Sequence, residues 1–135
     1  MESPFGYIGS IAASGFSLLG GSIPLVRART VSLTIREICG AAINADTTVS
    51  LFYSPDGNNW DTQLYTSFTL TFSAGNTIQR TVIIDPPEHG YFAVQVTNGS
   101  AADVLTNIKG WYSIQAWPPE PSQSRGDIRT KESET

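Results

Sequence analysis

A chain of 135 residues fits one domain, able to bury roughly two thirds of its unfolded surface, and leaves no room for a second independent core. Charged residues make up only 15% against 40% apolar, the net charge is -4, and lysine is confined to Lys109 and Lys131, so the basic stripe needed for nucleic-acid binding is excluded. One cysteine, Cys39, excludes an intramolecular disulfide and a multi-cysteine zinc site. It follows the apolar run Val31, Leu33, Ile35 and Ile38, which predicts a buried small hydrophobe rather than a nucleophile.

Residues 1–24 alternate small residues with isolated apolar ones, among them Phe5, Tyr7, Ile8, Ile11, Phe16, Leu18 and Leu19. That is too apolar for a free tail and too glycine-rich for a core helix, and it predicts an arm, or the first strands, packed on the chain's own sandwich or on a neighbouring subunit. The segment has a glutamate at position 2 and neither Lys nor Arg, unlike the positive start of a secretory signal. Its apolar residues are too interrupted for a membrane-spanning helix. The expectation is synthesis in the cytoplasm and no membrane partner.

Residues 25–117 alternate with period two between turn signals, which predicts a β-sandwich domain. Val31, Leu33 and Ile35 alternate with Ser32, Thr34 and Arg36. Val49, Leu51 and Tyr53 form a second run, and Phe68, Leu70 and Phe72 a third. Ile78, Arg80, Val82 and Ile84 then oppose Gln79, Thr81 and Ile83, and Phe92, Val94 and Val96 oppose Ala93, Gln95 and Thr97. The last run sets Ile108, Tyr112 and Ile114 against Lys109, Trp111, Ser113 and Gln115, beginning near Val104. With 12 Gly and 8 Pro, the connections are short and turn-rich, which favours antiparallel neighbours. The fold class is therefore all-β, an antiparallel sandwich of jelly-roll or immunoglobulin-like topology.

Residues 118–135 open on Pro118, Pro119, Glu120 and Pro121 and continue polar with Ile128 as the lone apolar residue, so they predict an extended, polar C-terminal tail suited to docking. Arg125-Gly126-Asp127 within it spells an integrin-recognition tripeptide, read here as a chance occurrence. Asn98-Gly99-Ser100 spells a glycosylation sequon and is read as a turn.

Catalytic constellations are sparse. His89 sits in the turn cluster Pro86-Pro87-Glu88-His89-Gly90, where an exposed ring is expected, and neither a nucleophile elbow nor a phosphate loop appears. The chain is expected to be non-enzymatic, with neither cofactor nor metal. The most distinctive stretch is Tyr53-Ser54-Pro55-Asp56-Gly57-Asn58-Asn59-Trp60-Asp61. Proline presets the turn, Asp56 supplies an Asx-type bond, Gly57 takes the positive φ, and Trp60 is expected to fold back beside Tyr53. Asp56, Asn58, Asn59 and Asp61 also pool oxygens of the kind calcium prefers, although their spacing matches no established calcium loop.

Tyr53-Ser54, Asp56-Gly57 and Trp60 together resemble the hairpin of discoidin-like carbohydrate-binding β-sandwich modules and of small β-sandwich proteins of tailed-phage virions. The resemblance covers nine residues directly and, through the order of strands, extends loosely over residues 30–117. The phage resemblance implies a virion structural protein made in the host cytoplasm. Such a protein is a capsid decoration or cement subunit, or a head-fibre or tail component, contacting the major coat protein or neighbouring subunits and assembling as a homo-oligomer. Its candidate interface residues are Phe5, Tyr7, Phe16, Trp60, Trp111 and Trp117. The carbohydrate-module resemblance implies sugar contacts at Asn58, Asn59, Trp60, Asp61 and Tyr65. A self-assembling filament or shell subunit of non-viral origin is the third reading.

Overall fold

In a computed structural model, which describes residues 3–118, all regular structure is β-strand. Nine strands follow in chain order: β1 (Ser3–Ile11), β2 (Phe16–Leu18), β3 (Ile23–Val26), β4 (Ala28–Cys39), β5 (Thr47–Ser54), β6 (Thr66–Leu70), β7 (Thr77–Ile84), β8 (His89–Asn98) and β9 (Leu105–Ala116). They form two sheets, one ordered β1-β9-β4-β7, the other β2-β8-β5-β6 with β3 also on β8. Every pairing is antiparallel.

β2 and β3 lie along β8 at successive positions, Phe16–Leu18 opposite Gln95–Thr97 and Ile23–Val26 opposite His89–Phe92. They are one edge strand interrupted at Leu19–Ser22. Counted so, the described residues form eight strands: the first pairs with the eighth, the second with the seventh, the third with the sixth and the fourth with the fifth. This nested hairpin, closed by β4·β9 and β5·β8, is a jelly roll, which settles the alternative left open by periodicity alone.

The period-two runs set the two inner faces. Val31, Leu33, Ile35 and Cys39 from β4 and Ile108 from β9 meet Val49, Leu51, Phe92, Val94 and Val96 from the other sheet. Ile11, Leu19, Ile23 and Leu25 complete this core, so residues 3–26 contribute to both sheets. The Cys39 thiol is buried as its neighbours predict, and burial raises its pKa.

Two expectations change. β6 ends at Leu70, so Phe72 is not a strand residue; it is 39% exposed, and its backbone N–H donates to Asp46 Oδ1 at 3.0 Å. Trp60 does not lie on Tyr53. Tyr53 faces inward, with its ring edge-on to Phe92 at 6.1 Å, whereas Trp60 lies over the outer face and shares a groove with Phe52, because adjacent strand residues point to opposite sides. The tripeptide Arg125-Gly126-Asp127 and Ile128 lie outside the described residues.

Candidate functional site

The outer face of the five-stranded sheet is built from strand positions that carry no Lys, Arg, Asp or Glu. Across the strands one row reads Phe16, Thr97, Thr48 and Thr69; the next reads Leu18, Gln95, Ser50 and Ser67; Phe52 and Ala93 follow. Phe16 and Leu18, on the edge strand, are 68% and 59% exposed. Next to them a groove of about 450 Å³ opens, floored by Phe52, Ala93 and Val94 and walled by Trp60 and Asp61 on one side and Leu18 to Ser22 on the other.

The first wall is the distinctive hairpin. Ser54 Oγ accepts the Gly57 N–H at 2.8 Å, and the Asp56 carboxylate accepts the backbone N–H groups of Asn58 and Asn59, both at 2.8 Å, and the Asn59 side-chain amide at 2.7 Å. Those bonds hold the Asp56 pKa far below the usual carboxylate range. Asp56 thus spends its oxygens on the turn itself, and among the described residues no three His, Cys, Asp or Glu side chains gather as a metal site needs. The Asp61 N–H then donates to the Tyr53 carbonyl at 2.9 Å, which returns the chain to β5 and leaves Trp60 standing over the sheet, 36% exposed.

The opposite wall exists because β2 and β3 are broken at Gly20-Gly21. Gly20 has φ +61°, and a Cβ there would collide with the Phe5 carbonyl oxygen and lie 2.8 Å from the Gly6 Cα. The chain can cross β1 this closely only with glycine on both sides. The break carries Leu19 down into the core, fully buried, while its N–H donates to the Val94 carbonyl at 2.8 Å.

The sequence-predicted residues scatter over the molecule. Trp60 and Asp61 line the groove, and Phe16 lies on the same face. Tyr65 does not: its ring packs on Phe92 at 5.0 Å and its hydroxyl donates to the Asp85 carbonyl at 2.7 Å, closing the mouth of the sandwich. Asn58 and Asn59 belong to the hairpin's own bonding. Phe5 turns inward onto Tyr112, edge to face at 5.3 Å, and is part of the packing rather than a free anchor. Trp117 is covered on one side by the Arg29 guanidinium, 5.2 Å from its ring centre, while its N–H donates to the Arg27 carbonyl. Tyr7 and Trp111 lie on the outer face of the other sheet. Sequence reasoning passed over Leu18 and Phe52; their alternation with Leu19 and with Leu51 and Tyr53 was the signal that they face outward. It also passed over Glu37, which continues the inward row of Val31, Leu33 and Ile35.

No family model matches the sequence, and no curated protein matches it significantly. Among solved structures, the chain is similar to two crystal structures of murine APRIL, determined at pH 8.0 and pH 8.5. For each, the TM-score is 0.45 at 9% identity, over 83% of this chain and 98% of that one.

Proposed function

We propose that the chain is a non-enzymatic docking module that adds to a larger protein assembly through the groove at Trp60. The specific form we favour is a virion decoration, cement, head-fibre or tail subunit. The observation that carries this reading is an outer face whose strand positions carry no charge, on which Phe16, Leu18 and Trp60 stand exposed around a mostly apolar groove with Asp61 on one wall. Protein interfaces are depleted of charge at their centre and enriched in aromatic side chains, and soluble chains seldom leave contiguous apolar patches uncovered. Covering Leu18, Phe52 and Trp60 with a partner's apolar side chains removes that surface from water, with Trp60 as the anchor.

The test is stoichiometric. Particles purified from the source on a density gradient are expected to contain the chain in a fixed ratio to their coat protein, and Leu18→Asp or Trp60→Ala to lower that ratio without changing the thermal midpoint. Absence of the chain from such particles sinks the virion form. Self-polymerisation of the isolated protein with no coat partner points instead to a filament or shell subunit.

A second reading is supported by Trp60 and Asp61 standing together on one wall, an aromatic face beside a carboxylate acceptor, in a groove of about 450 Å³. That pairing suits a pyranose ring, and binding to neutral glycans on an array that Trp60→Ala abolishes would replace the docking reading with a carbohydrate-binding one.

A further inference from the structure

The opposite side of the sandwich has a different chemistry. On the outer face of the four-stranded sheet, one row runs Tyr7, Lys109, Arg36 and Gln79 across β1, β9, β4 and β7. The adjacent row sets Trp111 beside Thr34 and Thr81. Arg36 and Lys109 are thus direct cross-strand partners. Like charges so placed repel, and no Asp or Glu occupies these rows to offset them. A chain of net charge -4 has two of its eight cations paired against each other on one face.

The surrounding groups are organised rather than incidental. Arg36 Nε donates to Gln79 Oε1 at 3.0 Å, and the Thr34 and Thr81 hydroxyls share a hydrogen bond of 2.7 Å. The guanidinium lies 5.4 Å from the centre of the Trp111 ring. Trp111, half-buried in mid-sheet, separates two hollows: one of about 340 Å³ bounded by Thr34, Arg36, Gln79 and Thr81, the other of about 410 Å³ bounded by Gly6, Tyr7 and Lys109.

We propose that this face binds a polysaccharide chain bearing uronic acids. The exposed Thr81 hydroxyl, Gln79 amide and Tyr7 phenol, bonded to Thr34, Arg36 and Asn107 respectively, keep further hydrogen-bonding capacity for a polyhydroxylated chain, and the rings Trp111 and Tyr7 offer apolar faces to pyranose rings. Arg36 and Lys109 supply donors for carboxylates, which relieve the cross-strand repulsion when they bind. An acidic peptide satisfies the charges and makes no use of the hydroxyl row, so the saccharide is the better fit. The inference is independent of the groove at Trp60, with which this face shares no residue.

Affinity electrophoresis of the full chain in native gels containing alginate tests it. Mobility is expected to fall in alginate and to remain unchanged in dextran, and Trp111→Ala, Arg36→Gln and Lys109→Gln are each expected to weaken binding about tenfold. The two Gln variants remove the repulsion and are expected to keep or raise the thermal midpoint, which a merely structural role for these cations does not predict. If Trp111→Ala unfolds, Trp111→Phe, which keeps an aromatic face, and the Gln variants decide. The proposal is overturned by unchanged mobility in alginate, by equal retardation in polyglutamate or dextran sulfate, or by retardation that depends on Trp60 and not on Trp111.

Discussion

Glu37 is a fully buried carboxyl in the inward row of β4, hydrogen-bonded by the Thr47 hydroxyl, with its Oε1 unpartnered among the described residues. Desolvation raises its pKa, and the Thr47 bond opposes this only in part. A carboxyl whose folded pKa lies above its unfolded value favours the fold most at low pH, and that contribution is lost as pH rises through the folded pKa. Glu37→Gln is therefore expected to gain about 1 kcal/mol of stability at pH 8 and nothing at pH 4, read from urea melts at both. A gain of equal size at both pH values would refute the assignment. Asp56 and Asp103 act in the opposite sense. Backbone N–H donors lower both pKa values, so their contribution is present at neutral pH and fades as pH falls through the folded pKa. Asn98 shows how residue type alone misleads. Its sequon reads as a turn, and its oxygen does accept the Ser100 N–H at 3.0 Å, yet the side chain is buried, its amide reaching the carbonyls of Ile11, Ala12 and Asp103. It ties the β1–β2 connection to the β8–β9 loop, and Asn98→Ala is expected to cost about 2–4 kcal/mol by denaturant melting.

At the scale of elements, strand positions were legible because half-buried strands write their two faces into alternate residues. Val31 to Arg36, Phe92 to Thr97 and Ile108 to Gln115 all emerge with the predicted side inward. Legibility ended where a local rule gave way to a tertiary crossing. Residues 1–24 read as an arm or first strands packed on a sandwich, but nothing local announces that the break at Gly20-Gly21 lets Leu19 reach the core and opens one wall of the groove. Gly20→Ala is expected to lower stability by about 2 kcal/mol, since it forces a Cβ into a positive φ and against β1. It is also expected to disturb binding at the groove before it disturbs the opposite face. A variant as stable as the parent would show that β1 yields at this crossing. The hairpin at Trp60 was legible in its turn chemistry and misread in its direction, because periodicity names the face of Phe52 and Tyr53 but does not say over which face a loop returns.

The whole molecule is a hairpin rolled on itself, and what the sequence concealed was this long-range order. Ser3 lies opposite Tyr112 and Arg36 opposite Lys109, and no spacing within one strand announces either pairing. The same topology sends the two unlike outer faces to opposite sides of a core roughly 10 Å thick. One face has uncharged strand positions and a mostly apolar groove beside Trp60 and Asp61; the other is cationic around Trp111. With no shared residue and a rigid double sheet between them, substitutions on the two faces are expected to act independently. Trp60→Ala should reduce incorporation into particles and leave alginate retardation intact, Trp111→Ala should do the reverse, and the double variant should show both losses at their single-variant sizes. If the double variant instead loses no more than one single variant does, the two tryptophans serve one site, formed where one copy's groove meets another copy's cationic face, and the separation into two partners fails.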